Sequence, residues 1–372
     1  MLNKQETSFR KLDHIEICLQ ENTQSHQTTR LEDFHFIPRA LADTNFLDLD
    51  VSTNLFGKQL SMPIMIAAMT GGHSEVRSLN EAIATTAEKF HLAMGVGSER
   101  AALENKNEYV IESFKVVREL APSILLMGNL GGAQFCSPHN FSINEVQKAI
   151  ELIQADALAI HVNPAQEVVQ MEGDTNFAHF WENINNILPD IPVPVIFKEV
   201  GSGFSREDAI QMSNSKIAGL DVGGVGGTSW VAVESLRAKR KNQRLAEEIG
   251  EIFWDWGIPT ALSVLETRSV LPDKVIIATG GARNGLEVAK LLALGADIVG
   301  MATPFLHVAS KGQDELDFFV RKIEKELKMV LFLTGCHSLQ DLRSVPMVVT
   351  DFSKCWLEQR NIDLNLVRNS RK

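Results

Sequence analysis

The chain is predicted to fold as an α/β protein, a (β/α)8 TIM barrel with an N-terminal extension, on three observations. Eight short apolar runs, separated by helical patterns, lie between Ile64 and Met301. The last two flank a Gly-Gly turn, and six of the runs end in small and polar residues. Strand and helix alternating in this way argue for a parallel sheet with helices outside. Eight units is the count of a closed barrel, whose chemistry sits at the C-terminal strand ends. An open doubly wound sheet competes, but no G-x-G-x-x-G follows the first strand.

Taken in order, residues 1–60 are expected to form an arm and a wrapping segment. A helix is expected over Ser8–Gln20, carrying Arg10, Lys11 and His14, followed by a polar, mobile stretch at 21–29 and extended chain from Leu31 to Leu60. The barrel occupies 61–360, with strands at Ile64–Ala67, Leu92–Val96, Ile124–Met127, Ala157–His161, Val193–Lys198, Gly219–Val222, Val275–Ala278 and Ile298–Met301. Ser142 and Glu145 form a capping box for a helix reaching Gln154, and Pro259 sits in a first helical turn. The interval from Val222 to Val275 is too long for one helix. It carries a basic run at 238–244, read as solvated, and lies on the active-site face, where it is placed to act as a lid. Leu316, Phe319, Val320, Ile323, Leu327 and Val330 recur at helical spacing, which predicts a packed final helix. The polar tail, 361–372, is expected to be mobile.

Composition excludes several classes. Hydrophobic residues at 44% and charged ones at 22% suit a soluble globular protein. A net charge of −11 gives no support to a nucleic-acid role. The four cysteines, Cys18, Cys136, Cys336 and Cys355, show no C-x-x-C spacing and read as reduced thiols of a cytoplasmic protein. The N-terminus has no apolar signal region, and no run reaches membrane-spanning length.

The stretch from Lys274 to Leu306 carries the sharpest local signal. Val275–Ala278 is a buried strand, Gly280 and Gly281 turn the chain, and a helix follows with Leu286, Ala289, Leu292 and Ala293 on one face, stopping at Gly295. Ile298–Met301 is the next strand. Both loops, Gly280–Asn284 and Ala302–Pro304, then lie at one sheet edge and lead into helix N-termini, where backbone N–H groups and the helix dipole favour phosphate. Other strand ends supply Ser98 and Arg100, Asn129, His161, Asn163, Gln166 and Glu167, Lys198, and Thr228 and Ser229. Lys198 ends a buried strand, where a cation either faces an electron-rich ring or phosphate, or pairs with Glu199 or Asp221.

FRKLDH near the N-terminus, AAMTGG (67–72), MGVGSERAAL (94–103), HVNPAQE (161–167), Lys198, DVGGVGGTSW (221–230) and TGGARNG (279–285) stand in order along nearly the whole chain. In these motifs it resembles the type 2, flavin-dependent isopentenyl-diphosphate isomerases. The resemblance implies interconversion of isopentenyl and dimethylallyl diphosphate in isoprenoid biosynthesis, by a cytoplasmic homo-oligomer, tetramer or octamer, with reduced FMN, Mg²⁺ and NADPH as reductant. FMN would be held by Ala68, Met69, Thr70, Ser98, Asn129, Lys198, Thr228, Gly280, Gly281, Arg283, Ala302 and Thr303. Arg10, Lys11, Arg100, His161 and Asn163 would meet the diphosphate. Gln166 and His161 would be catalytic, with Gln166 near the reacting carbons, and Glu167 would bind Mg²⁺. No partner other than a small diphosphate is implied.

Two alternatives remain. An FMN-dependent 2-hydroxy-acid oxidase would share the Lys198 strand and the GGARNG segment, but it needs a histidine base, and no histidine lies between Asp190 and Pro304. A barrel kept as a binding scaffold would show eroded strand ends, and these are intact.

Overall fold

In the computed structural model, which describes residues 4–68, 77–104 and 107–370, eight parallel strands close into a barrel. The arm begins with helix α1 (Lys4–Gln20), then β1 (Phe34–Phe36) and a hairpin of β2 (Thr53–Leu55) and β3 (Lys58–Leu60). The barrel strands are β4 (Ile64–Ile66), β5 (Ala93–Gly95), β6 (Leu126–Gly131), β7 (Ala157–His161), β8 (Val195–Lys198), β9 (Gly219–Asp221), β10 (Val275–Thr279) and β11 (Ile298–Met301). Between and outside them lie α2 (Arg77–Lys89), α3 (Arg100–Glu104), α4 (Glu108–Leu120), α5 (Ile143–Ile153), α6 (Pro164–Val169), α7 (Phe180–Ile187) and α8 (Arg206–Met212). There follow α9 (Trp230–Arg240), α10 (Arg244–Ile252), α11 (Thr260–Arg268), α12 (Gly285–Ala293), α13 (Thr303–Ala309) and α14 (Gln313–Thr334). The chain ends with β12 (Met347–Val349), α15 (Asp351–Arg360) and α16 (Leu364–Arg368). Strand β11 pairs with β4, Gly300 opposite Met65, and closes the ring.

Alternation along the strands sorts the core into two shells. Met65, Ala93, Met127, Ala159, Ile196, Ile277 and Ile298 pack together inside the barrel. Ile64, Ile66, Met94, Leu126, Leu158, Phe197 and Val299 face the surrounding helices. Leu55 and Leu60 of the hairpin join the inner shell, so the hairpin plugs the end opposite the mouth. Two arginines brace the barrel in the same way, four strands apart. Asp156 Oδ2 accepts from Leu126 N–H at 2.9 Å and from Arg118 at 2.7 Å. Asp297 Oδ2 accepts from Ile276 N–H at 2.9 Å and from Arg268 at 2.7 Å.

Several expectations change. The first helix starts at Lys4, before Ser8. The stretch 21–29 is strapped to the β9–α9 loop, where Ser25 N–H donates to Gly227 O and Ser229 N–H to Thr23 O, and to the segment after α10, where Trp254 Nε1–H donates to Gln24 O. Backbone pairing to another segment is a tertiary fact that local polarity does not reveal. Pro259 is the N-cap of α11, one position before the first turn. On α12, Ala289, Leu292 and Ala293 are buried as expected, with Val288 and Leu291 beside them, but Leu286 is exposed. The tail forms α16, and the buried Arg368 ties it down by donating to Ala293 O, Leu342 O and Val345 O. The basic run of 238–244 faces solvent, as expected, from Lys239 to Arg244, and acidic residues of the same chain lie beside it: Arg240 meets Glu16 and Glu21, Lys241 meets Asp13, and Lys239 meets Glu247. The insertion is an ordered pair of packed helices, α9 and α10, with α1 lying on α9.

Among the described residues, no helix is long and apolar enough to cross a membrane. Cys18, Cys136, Cys336 and Cys355 are all free.

Candidate active site

The C-terminal strand ends and α1 enclose a cavity of about 580 Å³. Its wall brings together Ala68, Ser98, Arg100, Asn129, His161, Asn163, Gln166, Glu167, Lys198 and Thr228 from the strand ends. Gly280, Gly281, Arg283, Ala302 and Thr303 line it from the β10 and β11 loops, and Arg10 and Lys11 from the arm. Met69 and Thr70 lie outside the described residues.

One end is built to approach a ligand through backbone. Gly280 and Gly281 have φ of +122° and +87°, and a Cβ on Gly227 would sit 2.6 Å from Gly281 N, so side chains are excluded from this corner. Asn284 caps α12 through Glu287 N–H. Thr228 and Thr303 share a hydroxyl hydrogen bond of 2.6 Å, joining the β9 and β11 ends. Arg283 donates to Gly281 O at 2.9 Å and to Gln24 Oε1, so the strapped segment buttresses the loop. Thr279 Oγ is buried here without a hydrogen-bond partner in the protein. An unmet hydroxyl beside a glycine cradle and two helix N-termini suits a phosphate-bearing cofactor such as FMN.

Lys198 Nζ donates to Glu199 O at 2.8 Å and lies 3.2 Å from Asp221 Oδ2. The cation is thus ion-paired to Asp221, as one reading expected, and it also lines the cavity.

Across the barrel, cations gather. Lys11 Nζ donates to Ser98 O at 2.6 Å. Burial, with Arg10 and Arg100 nearby, lowers Lys11 to about 7. Arg10 Nε is buried without a protein partner. Arg100 is held by Glu104 at 2.9 Å and by Asp174, and His139 bonds Asp174 at 3.1 Å. His161 Nδ1 lies 2.8 Å from Asn129 Oδ1. Burial, and then the Lys198 and Lys11 charges, push His161 down to about 3, so the ring is neutral.

The HVNPAQE segment leaves β7 and turns at once into α6, with Pro164 at its first position. Asn163 Nδ2 donates to both Gln166 Oε1 and Glu167 Oε1 at 3.0 Å. Gln166 Nε2 donates to Glu234 Oε1 at 3.3 Å, which fixes the amide's orientation. Glu167 Oε2 accepts from Gln170 Nε2 at 3.1 Å and from Asp174 N–H at 2.7 Å. Burial raises Glu167 above the usual carboxylate range, against those bonds. Three donors leave this carboxylate about one open lone pair, enough for one bond to a hard cation. Among the described residues, no cluster of three or more His, Cys, Asp or Glu could hold a metal by itself. Mg²⁺ here would therefore need oxygens from substrate and water as well.

Sequence reasoning passed over Glu234 and left His14 without a role. Glu234, 1% exposed, accepts from His14 Nε2 at 2.8 Å. Burial opposes its ionisation, but His14 and Arg237 prevail and hold it at about 2. Trp230 stacks edge-on to His14, with ring centroids 5.2 Å apart. The signal available was the i, i+4 spacing of Trp230 and Glu234 on a helix leaving a strand end.

Comparison with known proteins shows the family of the chain. The profile of the FMN-dependent dehydrogenase family matches residues 6–111 and 134–348. An isopentenyl-diphosphate delta-isomerase of Metallosphaera sedula is 44% identical over 364 residues, 98% of this chain and 98% of that protein. One of Methanosarcina mazei is 42% identical over 368 residues, 98% of this chain and 99% of that one. Among solved structures, mandelate oxidase with (S)-2-phenylpropionate aligns with a TM-score of 0.62 at 16% identity, covering 94% of this chain and 99% of that one. That likeness is one of fold.

Proposed function

Because the chain belongs to the FMN-dependent dehydrogenase family, and within it to the isopentenyl-diphosphate delta-isomerases, we propose that it interconverts isopentenyl and dimethylallyl diphosphate, in isoprenoid biosynthesis. The observation that carries this reading is one cavity with two anion-seeking ends. The glycine cradle lies at β10 and β11, and the Arg10, Lys11, Arg100 and His161 cluster lies across the barrel at β5 to β7. One end suits a flavin phosphate and the other a diphosphate.

In this reading FMN is held by Ala68, Ser98, Asn129, Lys198, Thr228, Gly280, Gly281, Arg283, Ala302 and Thr303, with Met69 and Thr70 proposed beside them. Reduced FMN, when bound, supplies a proton and negative charge next to the alkene. Lys198 places its ammonium where a reduced, anionic ring needs a counter-charge. Arg10, Lys11, Arg100 and Asn163 orient the diphosphate and His161 meets it. Gln166, locked between Asn163 and the Glu234 carboxylate, presents a neutral amide to the reacting carbons and cannot act as a strong base. Glu167 would offer one carboxylate to Mg²⁺, with the remaining oxygens supplied by substrate and water. NADPH is proposed as reductant, and the cytoplasm as compartment. A homo-oligomer, tetramer or octamer, is proposed on the exposed Leu245, Ile252 and Trp256 of the α9–α10 region, at 74%, 79% and 63%.

The test is anaerobic incubation of the purified protein with isopentenyl diphosphate, FMN, Mg²⁺ and NADPH. Allylic product with no net flavin oxidation is expected. No allylic product there, together with oxygen consumption in a separate aerobic assay with lactate or glycolate, would replace this reading with the oxidase.

A further inference from the structure

A buried guanidinium lies behind the cavity wall. Arg237, on α9, is 1% exposed and touches neither end of the cavity described above. It meets three carboxylates from three separate segments. Nη1 donates to Glu172 Oε2 at 2.7 Å and to Glu234 Oε2 at 3.3 Å, Nη2 donates to Glu172 Oε1, and Nε donates to Asp13 Oδ2 at 3.3 Å. Asp13 belongs to α1, two residues past Lys11. Glu172 follows α6, in the loop that continues HVNPAQE. Glu234 lies one turn back on α9, and its other oxygen holds His14 of the arm and Gln166.

We propose that Arg237 is the positioning residue that locks the N-terminal arm over the cavity and aims Gln166, acting through Asp13 and Glu234. The proposal rests on the isomerase reading for its kinetic consequences only. Its physical basis is charge in a dry place. Three carboxylates converge on one cation, and Glu234 is buried to 1%. Withdrawing the guanidinium leaves Glu234 uncompensated at low dielectric with Glu172 beside it, and frees Asp13 at the rim. Glu234 cannot move to solvent without its helix, so Asp13 and Glu172 must yield, and they carry the arm and the HVNPAQE loop with them. A planar fork suits this site, because Glu172 is held by both Nη atoms while Nε reaches Asp13, and an ammonium, whose three N–H groups share one nitrogen, cannot span those acceptors. The arm has other ties. Lys11 to Ser98 O, the Ile17 and Cys18 contacts with Val233 and Leu306, the Arg240 pairs with Glu16 and Glu21, and Lys241 at 3.8 Å from Asp13 hold α1 nearby without reaching Gln166. His14 does reach it, through the Glu234 carboxylate they share, and Arg237 holds that carboxylate by its other oxygen.

A staple of the insertion alone would cost stability and leave kinetics normal in folded protein. The experiment therefore measures hydrogen exchange of the 10–20 backbone, FMN affinity, and KM and kcat for isopentenyl diphosphate, in the full-length FMN-loaded protein. Arg237→Lys and Asp13→Asn are compared with the parent. Asp13 is 37% exposed at its side chain, so its variant keeps the fold even if Arg237→Lys does not. Both variants are expected to speed exchange over 10–20 and raise KM, each by about tenfold or more, the equivalent of one charge-assisted hydrogen bond. FMN affinity should hold. Arg237→Lys should also lower kcat, because Gln166 loses its fixed partner, whereas Asp13→Asn should keep kcat. Unchanged exchange over 10–20 in both variants overturns the proposal, as does a loss of stability with normal KM. A parent protein that fails to isomerise would sink the functional reading alone, since arm exchange is read without turnover.

Discussion

Asn129 Oδ1 sits 2.8 Å from His161 Nδ1, and Asn129 Nδ2 donates to Val96 O at 3.1 Å. The amide oxygen can therefore only accept, so the ring carries its proton on Nδ1 and keeps a lone pair on Nε2. Burial and neighbouring cations hold this state down to about 3, from an ordinary 6.5. A folded value below the unfolded one means that the unfolded chain binds the extra proton. The stabilisation is full above 6.5 and drains as pH falls toward 3. Urea unfolding of the parent should weaken between about pH 6.5 and pH 5 by up to about 1.4 kcal/mol per unit from this group. His161→Gln should lack that component, and parallel slopes would show that the ring is not held neutral.

Glu99 gives the opposite sign. It is fully buried, Oε2 accepts from Asn129 N–H at 2.8 Å, and Oε1 has no partner. Burial raises it from 4.5 to about 8, against that bond and the Lys11 charge. A raised folded value means stability that is full below 4.5 and lost as pH climbs through 8. Glu99→Gln should gain on the parent as pH rises from about 5 to about 7, by up to about 1.4 kcal/mol per unit. Melting temperatures across that window decide it, and a constant difference would mean that the carboxyl is already ionised.

The Lys198–Asp221 pair, 7% and 0% exposed, is 3.2 Å apart. Lys198→Ala should weaken FMN binding, lower the flavin reduction potential, and destabilise by about 3–5 kcal/mol, because it strands a buried carboxylate. Adding Asp221→Asn should restore most of the stability and none of the flavin effect. Recovery of both together would make Lys198 purely structural.

Gln166 and Glu167 should fail differently, although they are adjacent. Glu167→Gln should need far more Mg²⁺, since the site has a single protein carboxylate. Gln166→Ala should bind Mg²⁺ and FMN normally and turn over slowly, as expected of a group acting in the transition state. Activity titrated against Mg²⁺ for each variant separates them, and an unaltered Mg²⁺ dependence in Glu167→Gln moves the metal elsewhere.

What the sequence alone determined is what short-range pattern encodes. Continuous apolar runs placed every barrel strand to within a few residues, because a strand buried on both faces must be apolar along its length. The Gly280–Gly281 turn was readable because only glycine takes those positive φ values cheaply beside Gly227. The Ser142–Glu145 cap was readable because both partners lie within one turn. Tertiary structure decided the rest. Leu286 reads as core by spacing, yet α12 turns it outward, since rotation about the helix axis is set by the sheet beneath. The 21–29 stretch is polar, yet backbone hydrogen bonds with Gly227 and Ser229 pin it, and the C-terminal tail is pinned by Arg368 donating to the carbonyls of Ala293, Leu342 and Val345. The His14–Glu234 contact joins residues 220 positions apart. An ion pair leaves no periodicity in the sequence, and only closure of the barrel brings the arm and α9 to the same place.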